Sequence, residues 1–191
     1  PVFADIEPDG FTMDPVAFEA VISARTRAVI PVHQCGFPSD MTAINSVAAA
    51  YGITVIEDAA AAHGARVDDA YVGTLGDYGC FSFNIGKILR TGEGGMVCCH
   101  SEEARDRLRL IRVNGMGPHP EGGMEIWRFG SNATLANPLA AIGVIQLARF
   151  HNISERRAEI FARFLDGIAG LPIKLACGRS GLEAAYYSCA M

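Results

Sequence analysis

The sequence TVIED at residues 54–58 and the sequence CFSFNIGK at residues 80–87 decide how this chain folds. Each begins as an apolar run of strand length and ends in polar side chains. The first ends at Asp58, and the second contains Ser82 and leads through a short turn to Lys87. Open α/β sheets bind their ligands at the carboxyl ends of strands. We therefore expect one acid, one hydroxyl and one amine to serve a common site.

These three side chains are the ones that pyridoxal 5'-phosphate requires. A carboxylate can hold the protonated ring nitrogen, a hydroxyl can bind the phosphate, and a lysine amine can form a Schiff base with the aldehyde. We predict that Asp58, Ser82 and Lys87 bind this cofactor, and that Lys87 is the catalytic residue.

Ordinary structural roles compete with this interpretation. A lone lysine is usually a solvated surface residue, Asp58 could cap a helix or pair with an arginine, and Ser82 could simply fill a strand. His33 and His63 are further acid-base candidates, because histidine titrates near neutrality. We predict instead that His63 is a core or supporting residue and that His33 shapes the pocket wall.

Several longer motifs follow one another along the chain. PVHQCGFPSDM, VIEDAAAAHGA, VGTLGDYGCFSF, GK and TGEGGMV follow one another, and GSNATLANPLAAIGVIQL comes later. Over residues 1–164 the chain resembles the DegT/DnrJ/EryC1/StrS family of sugar aminotransferases. The resemblance implies the aspartate aminotransferase fold (fold type I), a three-layer α/β/α arrangement with a mainly parallel sheet. Family members are about twice this long, so we expect a chain truncated at both ends.

The resemblance also implies roles for individual residues. It places Asp58 against the pyridine nitrogen, Ser82 on the phosphate, and Asn132 on the phosphate held by the neighbouring subunit. That last role implies a homodimer with shared active sites. The implied reaction moves an amino group from an amino-acid donor, often glutamate, to a keto group of a nucleotide-linked deoxysugar in sugar, polysaccharide or antibiotic biosynthesis. Relatives that dehydrate sugars have histidine at the position of Lys87, so the lysine argues against a dehydratase.

Three positions depart from the family pattern. Ala61 stands where a glutamine supports the cofactor, Ile88 where an asparagine follows the lysine, and Thr134 where an arginine or lysine is common. A lost hydrogen bond costs about 0.5 to 1.5 kcal/mol, so we expect weaker cofactor binding. The same departures leave open a catalytically degenerate, regulatory relative.

Composition bounds the other function classes. Half of the 191 residues are hydrophobic, 19% are charged and the net charge is −5, values typical of a globular protein. No block of basic residues indicates a nucleic-acid surface, and no apolar run reaches the roughly 20 residues of a membrane span. The six cysteines lack the spacing of a disulfide framework or a metal site. We expect a cytoplasmic protein that binds no metal.

Strands and helices are expected to alternate along the chain. Buried strands are predicted at residues 28–32, 54–56, 80–83 and 96–99, a short hairpin at 67–70, and long helices at 139–150 and 154–168. Three further helices should begin at Asp14, Asp40 and Ser101, which are good N-cap residues. The glycine-rich residues 116–130 are expected to form a mobile loop. We assign residues 1–150 to a cofactor-binding large domain, and 151–191 to a connecting helix and the start of a small domain.

Overall fold

The structure, a computed structural model, describes residues 1–173, 175 and 182–188. Its strands are short, and in chain order they are β1 (Ala28–Val29), β2 (Thr54–Asp58), β3 (Arg66–Val67), β4 (Ala70–Tyr71), β5 (Tyr78–Ser82), β6 (Gly95–Cys99), β7 (Met116–Pro118), β8 (Met124–Ile126) and β9 (Leu182–Glu183). The helices are α1 (Pro15–Ala20), α2 (Met41–Tyr51), α3 (Glu102–Arg112), α4 (Asn137–Ala148) and α5 (Phe150–Ile168), and a 3-10 turn lies at Gln34–Gly36.

The central sheet has the strand order β1-β2-β5-β6 among the described residues. The pairs β1–β2 and β2–β5 are parallel, whereas β5–β6 is antiparallel. The predicted α/β class with a mainly parallel sheet is confirmed. The first strand is shorter than predicted, because Pro31 has no N–H to continue the ladder; Val32 returns to β2 only as an isolated bridge to Asp58.

The three helix starts predicted from cap residues are confirmed. The side chain of Asp14 accepts a hydrogen bond from the N–H of Val16, that of Asp40 from Ala43, and that of Ser101 from Ala104. Each cap satisfies a backbone donor that the first helical turn leaves unpaired.

Two buried clusters hold the sheet in place. The first packs α1 and α2 against β1 and β2, and its members are Phe18, Val29, Met41, Ile44, Ala48, Ile53 and Val55. The second lies under the loops that follow β2 and β5, and its members are Ala59, Ala62, Ala65, Val72, Ile88 and Ala185. The second cluster therefore fixes the two chain segments that carry the predicted site.

One of two predictions for the hairpin regions is confirmed, and the other was wrong. The predicted turn at residues 67–70 is a true hairpin of β3 and β4, and β9 extends it on the other edge. The segment predicted as a loop at 116–130 instead contains the antiparallel pair β7–β8. Gly122 and Gly123 both have positive φ there, so they can close a turn that other residues would strain.

No helix within the described residues combines the length and the apolar character needed to cross a membrane.

Candidate active site

Asp58 and Ser82 lie on one face of the central sheet. In the parallel pair β2–β5, Asp58 lies opposite Cys80, and Ser82 follows two residues later on the same face, because side chains alternate along a strand. Burial raises the pKa of the Cys80 thiol, and the negative charge of Asp58 raises it further. The acid therefore lies near the strand that carries the hydroxyl.

Both side chains keep hydrogen-bonding capacity. Oδ1 of Asp58 accepts the N–H of Ala60 at 3.0 Å, and no hydrogen bond from the described residues reaches Oδ2. Oγ of Ser82 accepts the N–H of Asn84 at 3.3 Å, which leaves the hydroxyl proton free to be donated. A ligand on this face of the sheet meets one acceptor and one donor.

Lys87 lies in the turn after β5 and is half-buried. Its backbone N–H donates to the carbonyl of Asn84 at 2.9 Å, and its Nζ lies 4.9 Å from the centre of the Tyr187 ring. No ion pair or hydrogen bond joins its amine to Asp58, Ser82 or any other described side chain. The amine is thus placed by the turn and by an aromatic face, and no described carboxylate pairs with it.

His63 is buried, and neither of its ring nitrogens has a hydrogen-bond partner among the described residues. Its ring packs beside those of Phe81 and Phe83, with centroid distances of 5.5 and 6.0 Å. Burial, and to a lesser extent the positive charge of Lys87, lower the pKa of His63 to about 4, although the backbone of Ser82 partly opposes the change. His63 is therefore a neutral, buried imidazole between the lysine turn and β5.

Glu57 points to the opposite face from Asp58 and was not singled out as a site residue from the sequence. It is fully buried, and its Oε1 accepts the N–H groups of Leu75 and Gly76 at 2.7 Å each. Its Oε2 accepts the N–H of Gly73 at 2.7 Å and faces Nε2 of His33 at 3.0 Å. The carboxylate therefore ties the loop before β5 to the end of β2.

His33 is part of this network and does not line an open pocket. Its side chain is fully buried, and its Nδ1 accepts the N–H of Ser39 at 3.0 Å. The acceptor role of Nδ1 leaves the ring proton on Nε2, where it is donated to Glu57. The prediction that His33 shapes a pocket wall was wrong, because the ring is enclosed by Glu57 and Ser39.

Asn132 is exposed and lies next to Val113, with which it forms an isolated antiparallel bridge. Its Oδ1 accepts from both the hydroxyl and the N–H of Thr134, at 2.8 and 3.4 Å. Thr134 therefore holds the amide oxygen, and the two N–H donors have no partner among the described residues. No contact brings Asn132 to Asp58, Ser82 or Lys87.

The other two departures from the family pattern also have structural settings. Ile88 is buried in the second cluster, against Ala59 and Ala62, so it anchors the backbone next to Lys87 by apolar packing. Ala61 is half-buried, and its methyl group offers no hydrogen bond. The expected weaker cofactor binding stays a prediction.

Comparison with known proteins identifies the chain. The model of the DegT/DnrJ/EryC1/StrS aminotransferase family matches residues 1–189. The chain belongs to this family. This chain is similar to spore coat polysaccharide biosynthesis protein SpsC of Bacillus subtilis (strain 168). The two are 37% identical over 180 residues, which cover 90% of this chain and 46% of SpsC.

Two solved structures share the fold. DesV of S. venezuelae, determined in complex with a ketimine intermediate, is 36% identical with a TM-score of 0.91, covering 98% of this chain and 50% of DesV. DesI, determined in the presence of its TDP-sugar product, is 32% identical with a TM-score of 0.89, covering 99% of this chain and 47% of DesI. The predicted family and fold class are confirmed, and the chain spans about half the length of the relatives it matches.

Proposed function

We propose that this chain provides the cofactor-binding half of a pyridoxal-phosphate-dependent aminotransferase. The enzyme transfers an amino group from an amino-acid donor, glutamate, to a keto group of a nucleotide-linked deoxysugar. The observation that carries the proposal is the placement of Asp58 and Ser82 on one face of β2 and β5, followed by a lysine turn with an unpaired amine. Membership of the aminotransferase family and similarity to DesV and DesI support it.

The described residues fit the cofactor. Oδ2 of Asp58 and the hydroxyl proton of Ser82 are free, and the amine of Lys87 has no carboxylate partner. The two ring nitrogens of His63 are buried without a partner among the described residues, which is costly unless a bound group or water meets them. When bound, pyridoxal phosphate acts as an electron sink that allows a proton to leave the carbon beside an amine.

Each residue has one task in this proposal. Asp58 would accept a hydrogen bond from the ring N–H and so favour the protonated nitrogen, and Ser82 would donate to a phosphate oxygen. Lys87 would supply the amine that holds the aldehyde, and its Nζ would hold and move the proton that the reaction transfers. His63, neutral at physiological pH, adds no second positive charge beside Lys87.

The setting of Asn132 supports a proposal for the assembly. Its amide oxygen is held by Thr134 while its N–H donors are exposed, so the side chain is suited to donate to a phosphate outside its own chain's site. We therefore propose a homodimer in which each Asn132 reaches the cofactor of the partner. The cytoplasm as its location, and the division of the chain near residue 150, belong to the same proposal.

The chain's lysines make the central claim easy to test, because Lys87 and Lys174 are the only two. The protein that carries this chain is incubated with pyridoxal phosphate, reduced with sodium borohydride and digested. Mass spectrometry of the peptides then shows which lysine carries the cofactor. We expect modification of Lys87, and an absorption band that glutamate shifts in the parent protein and in Lys174→Ala.

The variant Lys87→Ala should show neither the band nor the modified peptide. Modification of Lys174 alone, or no modification of the parent protein under conditions where it is folded, contradicts the proposal. The second result would favour the degenerate, regulatory relative.

A further inference from the structure

A cavity of about 510 Å³ opens beside Lys87, on the side bounded by α4, α5 and the segment around Tyr187. Its lining includes the cationic side chains of Lys87, Arg90, Arg149 and Arg157, and none of its described lining residues is acidic. The chain as a whole carries a net charge of −5, so the positive charge around this cavity is opposite in sign to the net charge of the chain.

Two of the arginines are uncommitted. Arg90 and Arg149 are exposed, and no described acid or carbonyl accepts a hydrogen bond from either guanidinium. Arginine at a protein surface normally finds a carboxylate where one is near, because the planar fork binds it through two hydrogen bonds. Two unpaired arginines around one cavity indicate that their acceptor is not part of the described chain.

The third arginine builds the cavity wall. Nε and Nη2 of Arg157 donate to the carbonyl of Tyr186 at 2.9 and 2.7 Å, and Nη2 also donates to the carbonyl of Tyr187 at 2.6 Å. These bonds hold the Tyr187 ring near the amine of Lys87. Carbonyl oxygens carry only partial charge, so the positive charge of Arg157 still faces the cavity.

Four cations without a counter-charge repel one another, and a bound anion relieves that repulsion. The cavity is wide enough for a small-molecule ligand. One free guanidinium group lies on the lysine turn and the other at the start of α5, so each can donate hydrogen bonds to different oxygens of one ligand. Phosphate oxygens match this geometry and charge better than a single carboxylate does.

We infer that this cavity binds the diphosphate of the nucleotide-linked substrate through Arg90 and Arg149. The inference rests on the proposed function, since it assigns a subsite to that substrate. It places the diphosphate within reach of the turn that carries Lys87, so the sugar attached to it is held near the reacting amine. Arg157 acts as a positioning residue, because it holds the backbone at Tyr187 and adds positive charge to the cavity wall.

The test measures binding and needs no turnover. Inorganic pyrophosphate, which carries the diphosphate without a base or a sugar, is titrated calorimetrically into the cofactor-free protein. The same titration is made with Arg90→Gln, Arg149→Gln, the double variant, and Arg163→Gln as a control on the same helix outside the cavity. Each replaced side chain is exposed, and circular dichroism verifies that each variant is folded.

We expect the dissociation constant for pyrophosphate to rise about tenfold in each single variant and more in the double variant, with Arg163→Gln unchanged. Binding should also weaken as salt is raised in the parent protein more than in the double variant. An unchanged affinity in the double variant, or no binding to the parent protein, overturns the inference.

A second arm separates the diphosphate from the carboxylates of the amino donor. Glutamate is added to the cofactor-loaded protein, and the shift of the absorption band is followed at increasing glutamate concentration. We expect the half-saturating concentration to be the same in the parent and the double variant. The contrary result is a double variant that needs more glutamate for half-saturation while its dissociation constant for pyrophosphate is unchanged. That result assigns the cavity to the amino donor and overturns the inference. If the band itself is missing in the parent, the proposed function fails, while the cofactor-free titration still decides the anion site.

Discussion

Oε2 of Glu57 lies 3.0 Å from Nε2 of His33, and both side chains are fully buried. Burial alone would raise the pKa of Glu57, but the hydrogen bond from His33 and those from the backbone of Gly73 and Gly76 together hold it below its usual value. The carboxylate is thus ionised and has all four of its hydrogen bonds inside the protein. It joins three chain segments directly behind Asp58.

Replacing Glu57 with glutamine should destabilise the protein by about 3 kcal/mol. The amide group would turn N–H donors toward backbone N–H groups that now donate to a carboxylate, and each buried donor left unpaired costs about 1 to 3 kcal/mol. Urea denaturation at pH 7 measures the change. Glu159→Gln, which removes an exposed carboxylate paired with Arg156, should change the free energy of unfolding by no more than about 0.5 kcal/mol.

The stability difference between the parent protein and Glu57→Gln should depend on pH. Because the pKa of Glu57 is lower in the folded state, the carboxylate stabilises the protein above the unfolded value of 4.5, and this contribution is lost as the pH falls through the folded value. The stability difference between the parent and Glu57→Gln should therefore shrink below about pH 4.5. A difference that stays constant down to pH 3 would show that ionisation of Glu57 is not what the network stabilises.

Gly79→Ala should prevent stable folding, whereas Gly167→Ala should be tolerated. A Cβ on Gly79 would overlap the backbone of Gly73, and a backbone that Glu57 holds cannot move aside, so we expect a loss above about 4 kcal/mol. A Cβ on Gly167 meets nothing within 4 Å, and alanine favours the helix by up to about 1 kcal/mol. Soluble yield and denaturation midpoints measure both effects. Equal stability of the two variants would contradict the packing of the 73–79 loop.

His63 should make the protein less stable as the pH falls from 6.5 to about 4. Its pKa of about 4 in the folded state means that only the unfolded chain binds a proton in this range, so stability rises with pH there. The contribution is at most about 3 kcal/mol. His63→Phe, which keeps an aromatic ring beside Phe81, should reduce the difference in unfolding free energy between pH 7 and pH 5.

His151→Gln provides the control for that measurement, because His151 is exposed. It should retain most of the parent's pH dependence. A His63→Phe protein with the parent's full dependence would show that His63 binds a proton as readily in the folded state as in the unfolded chain.

Mixing two inactive variants tests whether Asn132 serves the partner's site. Lys87→Ala and Asn132→Ala proteins are unfolded, combined and refolded, so that mixed dimers form. If Asn132 acts across the interface, one site of each mixed dimer has both residues intact, and transaminase activity returns to about a quarter of the parent value. No recovery, with mixed dimers present by mass spectrometry, would place Asn132 in the site of its own chain.

Local features were predicted well from the sequence. Asp14, Asp40 and Ser101 begin helices because a cap bonds to a backbone group two or three residues away. Gly52 ends α2 in a left-handed conformation, which a glycine adopts without strain. The joint placement of Asp58 and Ser82 follows from strand alternation, once the two strands are known to be neighbours.

Contacts between distant segments were predicted poorly. The partners of Glu57 lie 16 to 24 residues away along the chain, and the Tyr187 ring lies about a hundred residues from Lys87. The β7–β8 pair was missed because glycine and proline signal turns whether or not a ladder forms beside them.

The sequence by itself determined the family, the α/β class, the helix starts and the residue types available to a cofactor, because these depend on short-range spacing and on motifs. Only the tertiary structure decided that Glu57 binds three backbone amides and His33, and that arginines from two elements surround one cavity beside Lys87. It also decided that the nitrogens of His63 are buried with no partner in the part of the chain that the structure describes. Each of these depends on which segments the buried core brings together, and burial sets both the cost of an unpaired group and the strength of a charge.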